Sequence, residues 1–145
     1  MEGSWLLGYV VDLQVGTPPQ AVRAVADTGS YLTWLATTSI IPTPIDPLTN
    51  KPIHPADFSK SSTFVNLHTN LSTSFGNGRL FQGVWATDDF HVGGYAARNV
   101  MCVAATLLAF VHDAAWGLSP YNYPTSAEKS QWLSYELFQV TTHPP

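Results

Sequence analysis

Asp27-Thr28-Gly29-Ser30 is the stretch of this chain best equipped for chemistry. An apolar run from Ala21 to Ala26, broken only by Arg23, delivers one carboxylate at its end. Two hydroxyls and a glycine stand immediately beside it. A buried strand that ends in Asp and a tight Gly turn sets an acid at the crest of a loop. Acids in that setting are either turn formers or proton-transfer groups, and these four residues alone leave both readings open.

The flanking pattern shows what must hold Asp27 in place. From Trp5 to Val15 every odd position is apolar (Trp5, Leu7, Tyr9, Val11, Leu13, Val15), which predicts a half-buried strand. Gly16-Thr17-Pro18-Pro19-Gln20 ends it with turn chemistry, and Ala21 to Ala26 returns as a second, antiparallel strand carrying Asp27. Leu32, Trp34 and Leu35 resume an apolar strand. Residues 37–55 are polar and interrupted by Pro42, Pro44, Pro47, Pro52 and Pro55, so a surface loop is expected there.

Leu71 to Phe75 and Arg79 to Thr87 flank Gly76-Asn77-Gly78 as a hairpin. A second hairpin is expected around Gly93-Gly94, between Phe90-His91-Val92 and Tyr95-Ala96-Ala97. Val100 to Ala105 and Ala109 to Val111 read as further short buried strands. Thr125-Ser126-Ala127-Glu128 is a capping box, in which hydroxyl and carboxylate satisfy each other's free amides, and it predicts a late helix. Seven or more short strands with one or two short helices make an all-β protein.

Bulk properties narrow the function. A chain of 145 residues builds one domain with a real core and not two, so residues 1–145 are read as a single unit. Six Lys and Arg residues are scattered singly in a chain of net charge −4, which argues against nucleic acid or an anionic membrane as partner. The longest apolar stretch, Val100 to Val111, is too short to cross a bilayer. Met1-Glu2-Gly3-Ser4 lacks the basic segment and apolar run of a signal peptide, leaving an intracellular chain or a trimmed piece of a longer precursor.

The single cysteine, Cys102, excludes an intramolecular disulfide and reads as a buried structural thiol. The five histidines show no metal-ligand spacing, so neither metal nor cofactor is expected. Gly76-Asn77-Gly78 lacks the third glycine of a dinucleotide loop, and no G-x-S-x-G nucleophile elbow occurs. Asn70-Leu71-Ser72 is a glycosylation sequon, meaningful only in a secreted chain.

The order of these pieces resembles the N-terminal lobe of pepsin-like aspartic peptidases. Tyr9-Val10-Val11 leads to Gly16-Thr17-Pro18-Pro19-Gln20, and Asp27-Thr28-Gly29-Ser30 follows with Trp34 beyond. Asp57-Phe58-Ser59-Lys60-Ser61-Ser62-Thr63-Phe64 is similar to the family's F-x-P-x-x-S-S-T-F. Ser74 to Gly78 with Gly83 is similar to its flap hairpin, and Val92-Gly93-Gly94 comes next. Asp113-Ala114-Ala115-Trp116-Gly117-Leu118 is similar to the D-G-I-L-G-L segment that threads beneath the catalytic loop. The likeness runs from Gly8 to Val140, and it implies a closed or partly open β-barrel lobe.

The resemblance implies an aspartic-type endopeptidase. Two carboxyls held together share one proton, because like charges that close cannot both ionise; one then activates water while the other polarises the scissile carbonyl. By this likeness Asp27 is one member of the dyad and Ser30 a hydrogen-bond partner that holds its carboxylate. Thr28 braces the catalytic loops, and Gly29 permits close backbone approach. Phe75, Gly76, Asn77, Trp34 and Trp116 are the expected substrate-binding residues.

Only one Asp-Thr-Gly is present, so a dyad requires a second copy of the chain or a separate chain supplying the other lobe. Phe75 stands where the family has Tyr, Ala114 where it has Gly, Trp116 where it has a branched aliphatic residue, and Tyr31 where a small polar residue is common. Two alternatives therefore stay open. One is a pepsin-fold enzyme that acts on a small apolar molecule through the single acid Asp27; the other is an inactive binding module. A secreted or vacuolar location is what the family likeness implies.

Overall fold

The computed structural model describes residues 9–47 and 50–118. The capping box at 125–128 and the Trp5 and Leu7 end of the first strand lie outside these residues. β1 (Tyr9–Val15) and β2 (Gln20–Asp27) form the expected antiparallel pair, with Tyr9 opposite Ala26 and Val15 opposite Gln20. Leu13, Val15, Val22 and Ala24 are buried on one face, as the period-two pattern requires. β3 spans Trp34–Ala36.

The proline-rich loop carries a two-stranded ladder of its own, β4 (Ile45–Asp46) against β5 (Lys51–Pro52). Ile53 beyond it is buried, so this loop is pinned to the body rather than lying free on the surface. Asp57 caps a short 3-10 turn, Phe58–Lys60, by accepting from the Ser59 amide. Phe58, the first residue of that turn, stacks on Phe64 beyond it at 4.5 Å between ring centres.

β6 (Val65–Ser74) and β7 (Leu80–Val92) form the first hairpin, and β8 (Tyr95–Leu107) returns antiparallel to β7 across Gly93-Gly94. β7 and β8 are single strands of 13 residues each, where the sequence suggested four short ones. The polar breaks at Asp88-Asp89 and Arg98-Asn99 are bridged within the ladder. Arg98 donates to Asp89 Oδ2 at 2.8 Å, the Asn99 amide donates to Asp89 Oδ1 at 2.9 Å, and a register shift between Asp88 and Phe90 absorbs the misfit. Ala109 to Val111, expected as a strand, is loop.

β9 (Ala114–Gly117) decides the topology. It inserts between β2 and β3, parallel to β2 and antiparallel to β3, so the order is β1-β2-β9-β3-β8-β7-β6. β1 also pairs with β7 at Gln14–His91 and Val15–Phe90. That contact closes a six-stranded mixed barrel, with β6 left on its flank.

Two apolar clusters result, one on each face of the barrel wall. The inner one contains Leu13, Val15, Val22, Leu35, Phe90, Val100 and Cys102. The outer one contains Leu32, Trp34, Phe81, Val103, Ala105, Ala109 and Ala115, with Tyr31 and Phe75 packed against it. Burial pushes the Cys102 thiol well above its ordinary pKa, which makes it the inert structural cysteine expected.

Candidate functional site

Asp27 is the last residue of β2, and the barrel positions it through its backbone. The Leu118 amide donates to Asp27 O at 2.7 Å, continuing the parallel ladder in which Asp27 lies beside Gly117. Ala24 faces the inner core, so alternation turns Asp27 to the outer face, where Trp34 and Ala115 lie. Its side chain is half-buried, and Oδ1 accepts one hydrogen bond, from the Gly29 amide at 2.9 Å. This is an Asx turn, so the turn reading is realised, and the carboxylate that makes it stays half-open at the loop crest.

Because β9 lies between β2 and β3, the loop 28–33 has to cross it. Gly117 is where it crosses: a Cβ there would stand 2.5 Å from the Tyr31 carbonyl oxygen and 2.6 Å from the Leu32 amide. Glycine at 117 is therefore a condition of the loop that carries Asp27. Thr33, fully buried, accepts from the Gly117 amide at 3.3 Å and gives its own carbonyl to the Val103 amide at 2.9 Å. Neither Gly117 nor Thr33 was among the expected site residues; Gly117 stood within the threading segment, while Thr33 carries no sequence signal.

The remaining expected site residues divide. Thr28 and Gly29 are exposed at the loop crest beside Asp27. Ser30 turns back on its own loop, with Oγ accepting from the Leu32 amide at 3.0 Å, so it holds the loop rather than the carboxylate. Phe75 is half-buried at the hairpin end, with Gly76 and Asn77 exposed at its crest. Phe75 meets Phe81 edge-on at 5.3 Å and Phe110 at 5.4 Å, and Phe81 meets Trp34 at 5.5 Å.

Trp34 is only 2% exposed and packs against Phe81, so it lies within the wall rather than on its open surface. Trp116 is on the other side of the barrel wall. Alternation along β9 sends it to the inner cluster with Val11, where its Nε1 is buried without a partner among the described residues, away from Phe75 and Trp34. Phe110, which completes the aromatic row with Phe81, was not anticipated, because nothing in Leu107 to Val111 signals a contact with the hairpin.

Other titratable groups gather elsewhere. A cleft of about 660 Å³ is lined by Asp12, Arg23, His54, His91 and Asp113, and it begins about 13 Å back along β2 from Asp27. Asp113 accepts from the His54 amide at 2.8 Å and stands 3.8 Å from its Nδ1. Burial lowers the His112 pKa, and nearby Asp46 and Asp113 partly oppose that. Among the described residues no three His, Cys, Asp or Glu side chains are grouped to hold a metal ion. No helix among them is long and apolar enough to cross a membrane.

An acid at the end of a buried strand, with the closing strand threaded beneath its loop and a hairpin folded over the same face, agrees with what sequence comparison finds. Residues 8–126 match the family described as eukaryotic aspartyl protease. This chain belongs to that family. It is 36% identical over 101 residues to Plasmepsin IX of Plasmodium falciparum, an alignment covering 68% of this chain and 15% of that protein. It is 30% identical over 121 residues to Vacuolar protease A of Arthroderma otae, covering 81% of this chain and 29% of that one. It is 28% identical over 131 residues to Acid protease of Saccharomycopsis fibuligera, covering 88% and 30%. The chain thus spans less than a third of the length of these relatives.

Proposed function

We propose that this chain is the Asp27-bearing lobe of an aspartic-type endopeptidase, and that a second carboxyl, from another copy or from a separate lobe, completes the dyad. The observation that carries this reading is the state of Asp27. Its backbone is fixed by the Leu118 bond, its side chain is half-open on the hairpin face, and one oxygen has no partner among the described residues.

In such a dyad the ionised carboxyl takes a proton from water as the water oxygen attacks the peptide carbonyl carbon. The protonated partner gives its proton to the carbonyl oxygen. The tetrahedral diol then collapses, the C–N bond breaks, and the amine leaves with a proton from the dyad. Asp27 alone cannot supply both protonation states at once. The aromatic row ending in Phe75 and Phe110 supports a preference for bulky apolar side chains in the peptide. Activity at acid pH follows from the need to keep one proton on the pair, and a vacuolar or secreted setting fits it.

The test combines mass in solution with cleavage of an unfolded protein between about pH 3 and 6, with and without a statine-type transition-state mimic. Cleavage blocked by the mimic and abolished in Asp27→Asn, with a dimer stabilised by the mimic, supports the proposal. A chain that stays monomeric with the mimic and cleaves nothing, alone or with an added C-terminal lobe, overturns it.

A further inference from the structure

The crest of the β6–β7 hairpin is tied to a second loop through one side chain. Asn77 is exposed, yet its amide is engaged at both ends. Oδ1 accepts from the Arg79 amide at 3.0 Å, and Nδ2 donates to Ala109 O at 3.1 Å, across 32 residues of chain. The first bond is local. It reinforces a turn already closed by the Phe75 amide donating to Arg79 O at 3.3 Å and the Gly78 amide donating to Phe75 O at 2.8 Å. The second joins the hairpin to the loop between β8 and β9, whose Ala109 is buried in the outer cluster. Phe75 and Phe110 make the same junction a second time, with rings edge-on at 5.4 Å.

We infer that Asn77 is a latch. Its Nδ2 bond to the Ala109 carbonyl, backed by the Phe75–Phe110 contact, holds the hairpin down over the face that bears Asp27, and breaking it releases the hairpin. One neutral hydrogen bond and one ring pair are modest interactions, so the latched and released forms interchange. Asn77 is thereby a positioning residue, with its side chain committed to the fold while the hairpin is down. The inference rests on reading the Asp27 face as the substrate side. The test reads hairpin opening itself, so a chain with no peptidase activity and an intact latch would separate the two.

The measurement is native-state hydrogen exchange at the Phe75 and Gly78 amides, with the Val103 amide, which donates to Thr33 O inside the barrel wall, as control. Asn77→Asp keeps the acceptor for Arg79, and at pH 7 it replaces the donor to Ala109 with a carboxylate oxygen that the Ala109 carbonyl repels. At pH 7 its hairpin amides should lose protection about five-fold relative to the parent, with Val103 unchanged. Below the ordinary Asp pKa of about 3.9 the protonated carboxyl can donate again, so protection should recover toward the parent value at about pH 3. Asn77→Ala should stay released at both pH values. Parent-like protection of Asn77→Asp at pH 7, no recovery at pH 3, or an equal loss at Val103 would each overturn the latch.

Discussion

Asp27 and Asp88 are both strand carboxylates in the same barrel, and they are used in opposite ways. Asp88 is fully buried, and three donors converge on its Oδ1: Ser61 Oγ at 3.0 Å, Thr63 Oγ1 at 2.6 Å and the Asp89 amide at 2.8 Å. Two of these come from the segment between the 3-10 turn and β6, so Asp88 fastens that segment to β7. Asp27 accepts from one amide two residues away and from no other donor among the described residues. An idle oxygen does not by itself mark a working acid, since Asp88 Oδ2 is idle too. The difference is access: Asp88 Oδ2 is sealed behind Gly16, and Asp27 opens on the hairpin face. The acid that builds the fold is spent on its hydrogen-bond partners, whereas the acid proposed for chemistry is held through its backbone.

If backbone placement is what matters for Asp27, the most damaging change near it is one that moves its loop. Gly117→Ala should cost about 4 kcal/mol or more, because the new methyl meets the Tyr31 carbonyl and the Leu32 amide, and backbone atoms cannot rotate away. Chemical denaturation reads the loss directly. Asp88→Ala comes next, at about 2–4 kcal/mol, since it strands the Ser61 and Thr63 hydroxyls and the Asp89 amide together. Asp88→Asn keeps an oxygen for those donors and should recover part of that loss; equal losses for the two variants would show that shape rather than hydrogen bonding governs the site.

His112 tests the same contrast with a base. Burial lowers its pKa in the fold, so as pH falls below about 6.5 the unfolded chain takes up the proton first. Stability should therefore decline through that window and level off once the folded imidazole is also protonated. His112→Gln should flatten that part of the profile while leaving the decline at lower pH, where Asp57, held below its ordinary pKa by Ser59 and Lys60, loses its charge. Thermal unfolding between pH 7 and 5 measures it. A steeper slope in the variant would mean that the neighbouring Asp46 and Asp113 outweigh burial.

Much of this contrast was legible in the sequence, and the gaps have physical causes. Period two in Tyr9 to Val15 and the apolar run to Ala26 gave the first hairpin and the acid at its end, because one face of each strand is buried. The same rule could not say which of two apolar faces a residue joins. Trp34 and Trp116 both read as site residues, yet neighbouring strands send them to opposite sides of the barrel wall. Asp88-Asp89 and Arg98-Asn99 looked like strand ends because their polar side chains find partners only across the completed ladder. Ser30 was read as a partner of the Asp27 carboxylate and Asn77 as a substrate-binding residue, and their bonds run instead to Leu32 and to Ala109. Local pattern specifies strands and turns, while the destinations of polar side chains depend on contacts distant in sequence.

The smallest effect on stability is expected at Asp27 itself. Asp27→Asn keeps an oxygen for the Gly29 amide and leaves the Leu118–Asp27 backbone bond untouched. Only a charge on a half-open side chain is lost, so stability should change by no more than about 0.5 kcal/mol. The reaction loses more, because an amide cannot accept the proton that a carboxylate takes from water. Peptide cleavage by the assembled enzyme should fall below detection while denaturant midpoint and m-value stay at the parent values. A large loss of stability in Asp27→Asn would place this acid with Asp88 among the builders of the fold. Residual cleavage at the parent rate would move the chemistry to another group.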